Sequence, residues 1–274
     1  MYPPERIVCL TEETTETLYL LGEQHRIVGI SGYTVRPPQA RKEKPRVSAF
    51  ISADIPKILA LEPDLVLTFS DLQADIVAAL VRAGVAVHAF NQRTVAGILD
   101  MIRTLGAIVG AAQRADILAA RLAANLDSAR RRSEARGERP KVYFEEWDEP
   151  MIAGIAWVSE LIAIAGGVDI FPEFAGCKSA KDRIVTPEAV VARGPDVIIG
   201  SWCGKKFNKE KVLVRPGFEA IPAVRSSQLH EIKSTVILQP GPAALTDGLA
   251  ALERIIVGAR GSISPCMDAP RRNH

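Results

Sequence analysis

The sequence predicts an α/β protein of two Rossmann-like lobes with parallel sheets, joined by one long helix. Three observations predict it. Strand-length apolar runs alternate with helical patterns, an uninterrupted helical stretch breaks that rhythm near mid-chain, and one motif recurs on either side of the break.

The first lobe reads in order. Residues 6–10 form an apolar run of strand length, 12–21 follow with helical spacing, Gly22 stops that helix, and 26–30 form the next strand. A short helix over 54–61, a strand over 65–69, a helix over 72–82, a strand over 85–90 and a helix over 95–109 continue the pattern. Such βαβ repetition belongs to a parallel sheet covered by helices.

Residues 111–136 contain no Gly or Pro, are rich in alanine, and place Leu118, Leu122 and Leu126 on one helical stripe. Asp116 lies near the start and Arg130, Arg131 and Arg132 near the end, as the helix dipole favours, and Gly137 supplies a stop. At about 1.5 Å per residue the stretch spans ~39 Å, enough to cross a domain. Beyond it come a strand over 141–146, helices over 157–165 and 187–193, strands over 196–200 and 229–232, and a closing helix over 243–257. The expected division is a first lobe at 1–110, a linking helix at 111–137, a second lobe at 138–260 and a tail at 261–274. An internal echo supports two related lobes: Pro56 opens a helix that leads through Pro63-Asp64 into a strand, and Pro187 opens another that leads through Pro195-Asp196 into a strand.

Composition sets the outer limits. Hydrophobic residues make up 47% of 274 and charged residues 24%, and 34 basic against 32 acidic groups leave a net charge of +2. That is an ordinary globular balance, which disfavours disorder and a polyanion-binding surface. The longest apolar stretch is broken by Ser159 and Glu160 and falls short of the ~20 residues a membrane span needs. The sequence starts without a recognisable leader, so the expected location is cytoplasmic as written, or periplasmic if a leader has been removed. Four scattered cysteines build no disulfide framework.

In open parallel sheets ligands bind beyond the carboxyl ends of the strands. Tyr33, Phe69, Phe90, Trp147 and Trp202 all fall at or near expected strand ends, and Phe50 lies in a loop of the same kind. Facing lobes would turn these rings into a cleft for a broad, flat, partly apolar ligand; capping of each lobe's core is the structural alternative. Arg36, Lys178, Lys181, Arg183, Lys205, Lys206 and Lys209 sit in the same loops, where they would suit an anionic group or solvent. Glu145 and Glu146 alternate to opposite faces of a strand and make poor acid/base partners. His25, His88 and His230 are isolated and His274 is terminal, so no protein-held metal is expected. Three readings stay open for Cys177 and Cys203: inert thiols, a disulfide in an oxidising compartment, or a soft ligand to a bound cofactor. The absence of GxGxxG, GxxxxGK[ST] and GxSxG removes support for nucleotide-dependent and serine-hydrolase chemistry.

Several motifs, taken in order, resemble one family. They are Arg6-Ile7-Val8, Thr15-Glu16-Thr17-Leu18 with Leu21-Gly22, and Arg26-Ile27-Val28-Gly29-Ile30 with Tyr33. Lys44-Pro45-Arg46-Val47, the run from Ile58 through Pro63-Asp64 to Val66, and Pro222-Ala223-Val224-Arg225 complete the set. Together they look like the helical-backbone (class III) substrate-binding proteins of ABC importers, above all the vitamin B12-binding branch. The resemblance covers about residues 5–258. It implies two lobes on a stiff helix, with B12 or a ferric siderophore stacked on aromatics between them. Tyr33, Phe50, Phe69 and Trp147 match aromatic contact positions, with Phe50 and Phe69 standing where the B12 proteins typically carry Trp; Trp202 is added from its place at a strand end. It also implies docking to a permease through one surface glutamate per lobe. Glu188 matches the second-lobe site, and the first-lobe site falls on Pro56.

The resulting expectation is a non-enzymatic protein that binds cobalamin or a related large metal chelate, with Tyr33, Phe50, Phe69, Trp147, Trp202, Arg36 and Arg183 as ligand contacts. No catalytic residue, resident cofactor, nucleic-acid partner or membrane insertion is expected; an ABC permease is the partner, its docking weakened by Pro56. Heme or a ferric siderophore is the alternative ligand. A cytoplasmic tetrapyrrole- or metal-handling enzyme or chaperone is the alternative class, with His88, Glu145 and Cys203 its only candidate bases or ligands. A ligand-sensing interaction protein is the third reading.

Overall fold

The computed structural model describes residues 3–260. The segment 261–274 read as a tail, with Cys266 and His274, lies outside the described residues.

The first lobe is built from β1 (Ile7–Cys9), α1 (Glu12–Leu20), β2 (Ile27–Ser31), α2 (Ala40–Glu43), β3 (Arg46–Ser48), α3 (Ile55–Leu59), β4 (Leu65–Phe69), α4 (Ala74–Arg82) and β5 (Val87–Phe90). Its strands run in the order β3-β2-β1-β4-β5 and pair in parallel throughout. The winding reverses between β1 and β4, which places a crevice beyond their carboxyl ends. Strand β3, absent from the sequence reading, is three residues long with an exposed Arg46, too short and too polar to show as an apolar run.

Helices α5 (Val95–Ile108) and α6 (Ala112–Glu134) follow. Helix α6 has 23 residues, about 34 Å of rise, and buries the expected stripe of Leu118, Leu122 and Leu126. Gly137, beyond its end, takes φ 78°, as a stop requires. The second lobe contains β6 (Lys141–Asp148), β7 (Met151–Ala153), α7 (Ala156–Ala165), β8 (Val168–Asp169), α8 (Pro187–Arg193), β9 (Val197–Gly200), α9 (Lys209–Leu213), α10 (Pro222–Arg225), β10 (Leu229–Glu231), α11 (Ser234–Ile237) and α12 (Leu249–Arg260). The order is β10-β9-β6-β7, with β8 also on β6; β7 runs antiparallel and the other pairs are parallel.

Period-two alternation explains how the layers pack. Ile7, Cys9, Leu65 and Leu67 of the first sheet and Val142, Phe144, Val197 and Ile199 of the second all join one central core, which includes the α6 stripe. The residues between them turn the other way: Val8 and Val66 into an outer core of the first lobe, Tyr143 and Ile198 into one of the second. The lobes therefore share a core through α6.

The internal echo is structural. The Asp64 carboxylate accepts the backbone N–H of Glu5 (2.7 Å) and Arg6 (2.9 Å), and its own N–H donates to the Arg6 carbonyl at 3.0 Å. Asp196 repeats the clasp on Lys141, accepting its N–H at 2.8 Å and donating to its carbonyl at 2.9 Å. Each Pro-Asp turn thus ties the incoming edge of its lobe's first strand.

Candidate functional site: a cleft between strand ends

The crevice of the first lobe opens where β1 passes into α1 and β4 passes into Ser70. That of the second opens beyond β6 and β9, at Trp147 and at Ser201 to Cys203. In the first lobe, buried Gln73 knits the rim. Its amide donates to the carbonyls of Phe50 (2.8 Å) and Leu10 (3.3 Å) and accepts the Phe69 N–H at 3.0 Å. The loop bearing Phe50 is thereby fixed to the ends of both central strands.

The expected contact residues divide into two groups. Tyr33 is 52% exposed, while Phe50 packs partly buried against the central core and Trp147 against the second lobe's outer core. The Trp147 indole donates to the Glu149 carbonyl at 2.9 Å, and the Lys205 ammonium lies 3.9 Å from its ring centroid while paired with Asp148. That lysine desolvates one side of the ring and holds the Asp148 carboxyl below its usual range, against burial acting the other way.

Phe69 and Trp202 belong to the framework. Phe69 packs in the central core, with the Arg93 guanidinium 5.0 Å from its centroid. Trp202 is 3% exposed in the second lobe's outer core, edge-on to Phe207 at 5.0 Å, and its indole N–H donates to Glu145 at 2.9 Å. Glu145 is fully buried, bridged by Arg215 at 2.5 and 3.0 Å and by the Tyr143 hydroxyl at 3.0 Å. A buried carboxylate needs such partners, and the indole is one of them. Trp202 is therefore spent inside the lobe rather than in the cleft.

The two arginines differ in exposure: the Arg183 side chain is enclosed, while that of Arg36 keeps about a third of its surface. Arg183 is 1% exposed, pairs with Glu146 at 2.6 Å and donates to the Ala153 carbonyl. Arg36 bridges the lobes: its Nε donates to Glu16 at 2.9 Å and its Nη1 lies 2.9 Å from Asp247 of the second lobe. Glu16 also accepts the Ala243 N–H at 3.0 Å, and Gln92 donates to the Pro240 carbonyl at 2.8 Å. Gly241 lies so close to Glu13 that a Cβ there would collide with it. Residues 239–247 thus strap the second lobe to the first.

Sequence reasoning passed over Arg93, Gln73 and the acidic start of α1. Arg93 lies within electrostatic reach of Arg183 and Glu146; burial and the Arg183 charge hold its guanidinium below its usual value, opposed by Asp71 and Glu146. Glu12, Glu13 and Glu16 are all buried.

Of the candidates for metal or acid/base chemistry, Glu145 and His88 are buried or half-buried, while Cys203 is exposed at the second lobe's crevice. Glu145 is locked as described. His88 is half-buried edge-on to Phe90 at 4.3 Å, and burial lowers its pKa. Cys9, Cys177 and Cys203 are free thiols. Among the described residues no group of three or more His, Cys, Asp or Glu can hold a metal ion. One surface cavity of 760 Å³ lies along α5, α6 and α7, and one of 650 Å³ is lined by α4 and by Ser70, Asp71, Phe90 and Asn91 just beyond the carboxyl ends of β4 and β5.

The profile of the family described as periplasmic binding protein matches residues 7–236. The chain belongs to that family. A vitamin B12-binding protein of Vibrio cholerae is 29% identical over 253 residues, covering 89% of this chain and 86% of that one. An ABC transporter substrate-binding lipoprotein of Bacillus subtilis is 24% identical over 262 residues, covering 92% and 80%. Among solved structures, the apo periplasmic heme-binding protein of Roseiflexus sp. RS-1 has a TM-score of 0.78 at 26% identity, covering 92% of this chain and 99% of that one. The periplasmic vitamin B12 binding protein of Vibrio cholerae has a TM-score of 0.74 at 24% identity, covering 94% and 98%, and supports the fold. No helix among the described residues of this binding protein is long and apolar enough to cross a membrane.

Proposed function

We propose that this binding protein captures a corrinoid such as cobalamin between its lobes, without catalysing a reaction and without a resident cofactor. The observation that carries the reading is the set of rings at facing strand ends: Tyr33 and Phe50 from the first lobe and Trp147 from the second. B12-binding relatives from Vibrio cholerae and a cobalamin-binding protein from Halobacterium salinarum, 26% identical over 248 residues, support the ligand class. Heme is the second reading, favoured by the Roseiflexus structure. An enzymatic role loses its best base, because Glu145 already serves Arg215, Tyr143 and Trp202.

The partner is an ABC permease, with Glu188 as a docking carboxylate. Glu188 is exposed at the start of α8, and its counterpart Pro56 is exposed at the start of α3. One charge instead of two slows steered association. The working location is the extracytoplasmic face, which the lipoprotein relative supports.

Titration with cobalamin tests the ligand. Saturable quenching of tryptophan fluorescence is expected, and Trp147→Ala raises the midpoint roughly 2- to 10-fold, the value of one stacked ring. The absence of a saturable response to cobalamin, heme and a ferric siderophore alike would remove the reading.

A further inference from the structure

Arg93 lies on the seam between the lobes with its charge incompletely matched. The chain meets that seam at residues 92–95: the Gln92 amide donates to the Pro240 carbonyl at 2.8 Å, and the Val95 N–H donates to a Glu160 carboxylate oxygen at 2.8 Å. Both acceptors belong to the second lobe. Between these two ties, Arg93 follows the carboxyl end of β5 and places its guanidinium over the Phe69 ring, 5.0 Å from the centroid, at the carboxyl end of β4. That is where open parallel sheets receive ligands.

The guanidinium has few partners for its burial. Among the described residues its one hydrogen bond runs from Nη2 to Asp71 at 3.3 Å, and the Asp71 side chain is itself 75% exposed. Nε is enclosed without a partner. Glu146, the carboxylate within electrostatic reach from the second lobe, is already paired with Arg183 at 2.6 Å, and Arg183 adds a like charge from the same side. One long contact to a solvated carboxylate compensates such a cation poorly. The Arg93 side chain nevertheless keeps 19% of its surface, so its outer end is open to a small group.

This arrangement changes what the first-lobe wall offers. Phe69 is 5% exposed, and the group lying over it is a cation. A guanidinium meets a carboxylate or phosphate with two parallel N–H donors, whereas a neutral amide gives it a single carbonyl acceptor. Given that a large chelate occupies this cleft, as proposed above, we propose that Arg93 is an anion subsite: Nη1 and Nη2 receive a carboxylate or phosphate on the ligand's rim. The rings read a broad face, and Arg93 adds a requirement for negative charge at its edge.

The test uses two pairs of probes on the full chain, each pair sharing one ring. Dicyanocobinamide phosphate differs from dicyanocobinamide by a phosphate, and heme differs from its dimethyl ester by its free carboxylates. In at least one pair, wild-type protein binds the anionic member about tenfold or more tightly than the neutral one, and Arg93→Gln reduces that preference to about threefold or less. The pair that shows it identifies the group as phosphate or carboxylate. Tyr33→Ala weakens both members and leaves the preference in place. A salt series on wild-type protein needs no substitution: the preference falls about threefold or more between about 0.05 M and about 0.5 M sodium chloride. A smaller wild-type preference in both pairs, a larger residual preference in Arg93→Gln, or a smaller fall in salt overturns the subsite while the chelate reading stands. Binding of neither ring overturns the chelate reading, and the subsite with it.

Discussion

At the scale of single residues, the second lobe shows how burial reassigns side chains that look available. Arg183 stands in a lysine-rich loop, the usual place for solvated charge, yet the fold withdraws it to pair with Glu146 and the Ala153 carbonyl. Removing one member of a buried pair leaves the other uncompensated, which costs about 3 to 5 kcal/mol. Arg183→Met is therefore expected to lower unfolding free energy by about 3 kcal/mol in a urea titration with an unchanged slope. A loss under about 1 kcal/mol would mean that the pair behaves as a surface ion pair. Trp202 teaches the same lesson: an aromatic at a strand end is drawn inward when a buried carboxylate needs its N–H.

At the scale of elements, α5 and α6 pack against each other, and one glycine sets how closely they cross. A Cβ on Gly106 would run into the Cβ of Ala115, so the helices meet backbone to backbone at that point. Gly106→Leu is expected to push them apart and cost about 2 kcal/mol or more, read as a fall in Tm of several degrees. Wild-type stability in that variant would show that the crossing is loose. Asp116 adds a surface tie to Arg103 of α5 at 3.5 Å, and Arg132 ties the far end of α6 to Glu253 of α12 at 2.8 Å. Helix α6 is thus anchored along its length rather than standing free between lobes.

For the whole molecule, a core shared through α6 and a strap at residues 239–247 limit the lobes to small hinge movement. Burial of Glu12 and Glu13 has a consequence for pH. Both carboxyls titrate higher when folded than the usual 4.5, to about 8 and about 7. Between these values the folded state binds more protons than the unfolded chain, so their contribution is fully present below about pH 4.5 and is lost as pH rises to about 8. Chemical denaturation between about pH 5 and about pH 8 is expected to show stability falling with pH, and a shallower slope in Glu12→Gln. Identical slopes would mean that Glu12 is solvated.

The sequence by itself determined the periodic part of this protein. Strand β4, helix α8, the leucine stripe of α6 and the paired Pro-Asp turns could all be read because local spacing and turn chemistry specify them. Strand β3, which carries an exposed Arg46, and the antiparallel β7, which merges into the apolar run leading to α7, could not. Only the tertiary structure decided which strand-end residues keep exposed surface. It left Tyr33 exposed and Phe50 and Trp147 partly buried, paired Trp202, Arg183 and Arg36 with protein groups, and buried Glu12. The physical reason is that a side chain's fate depends on which polar groups burial leaves unsatisfied nearby, and those neighbours come from distant parts of the chain.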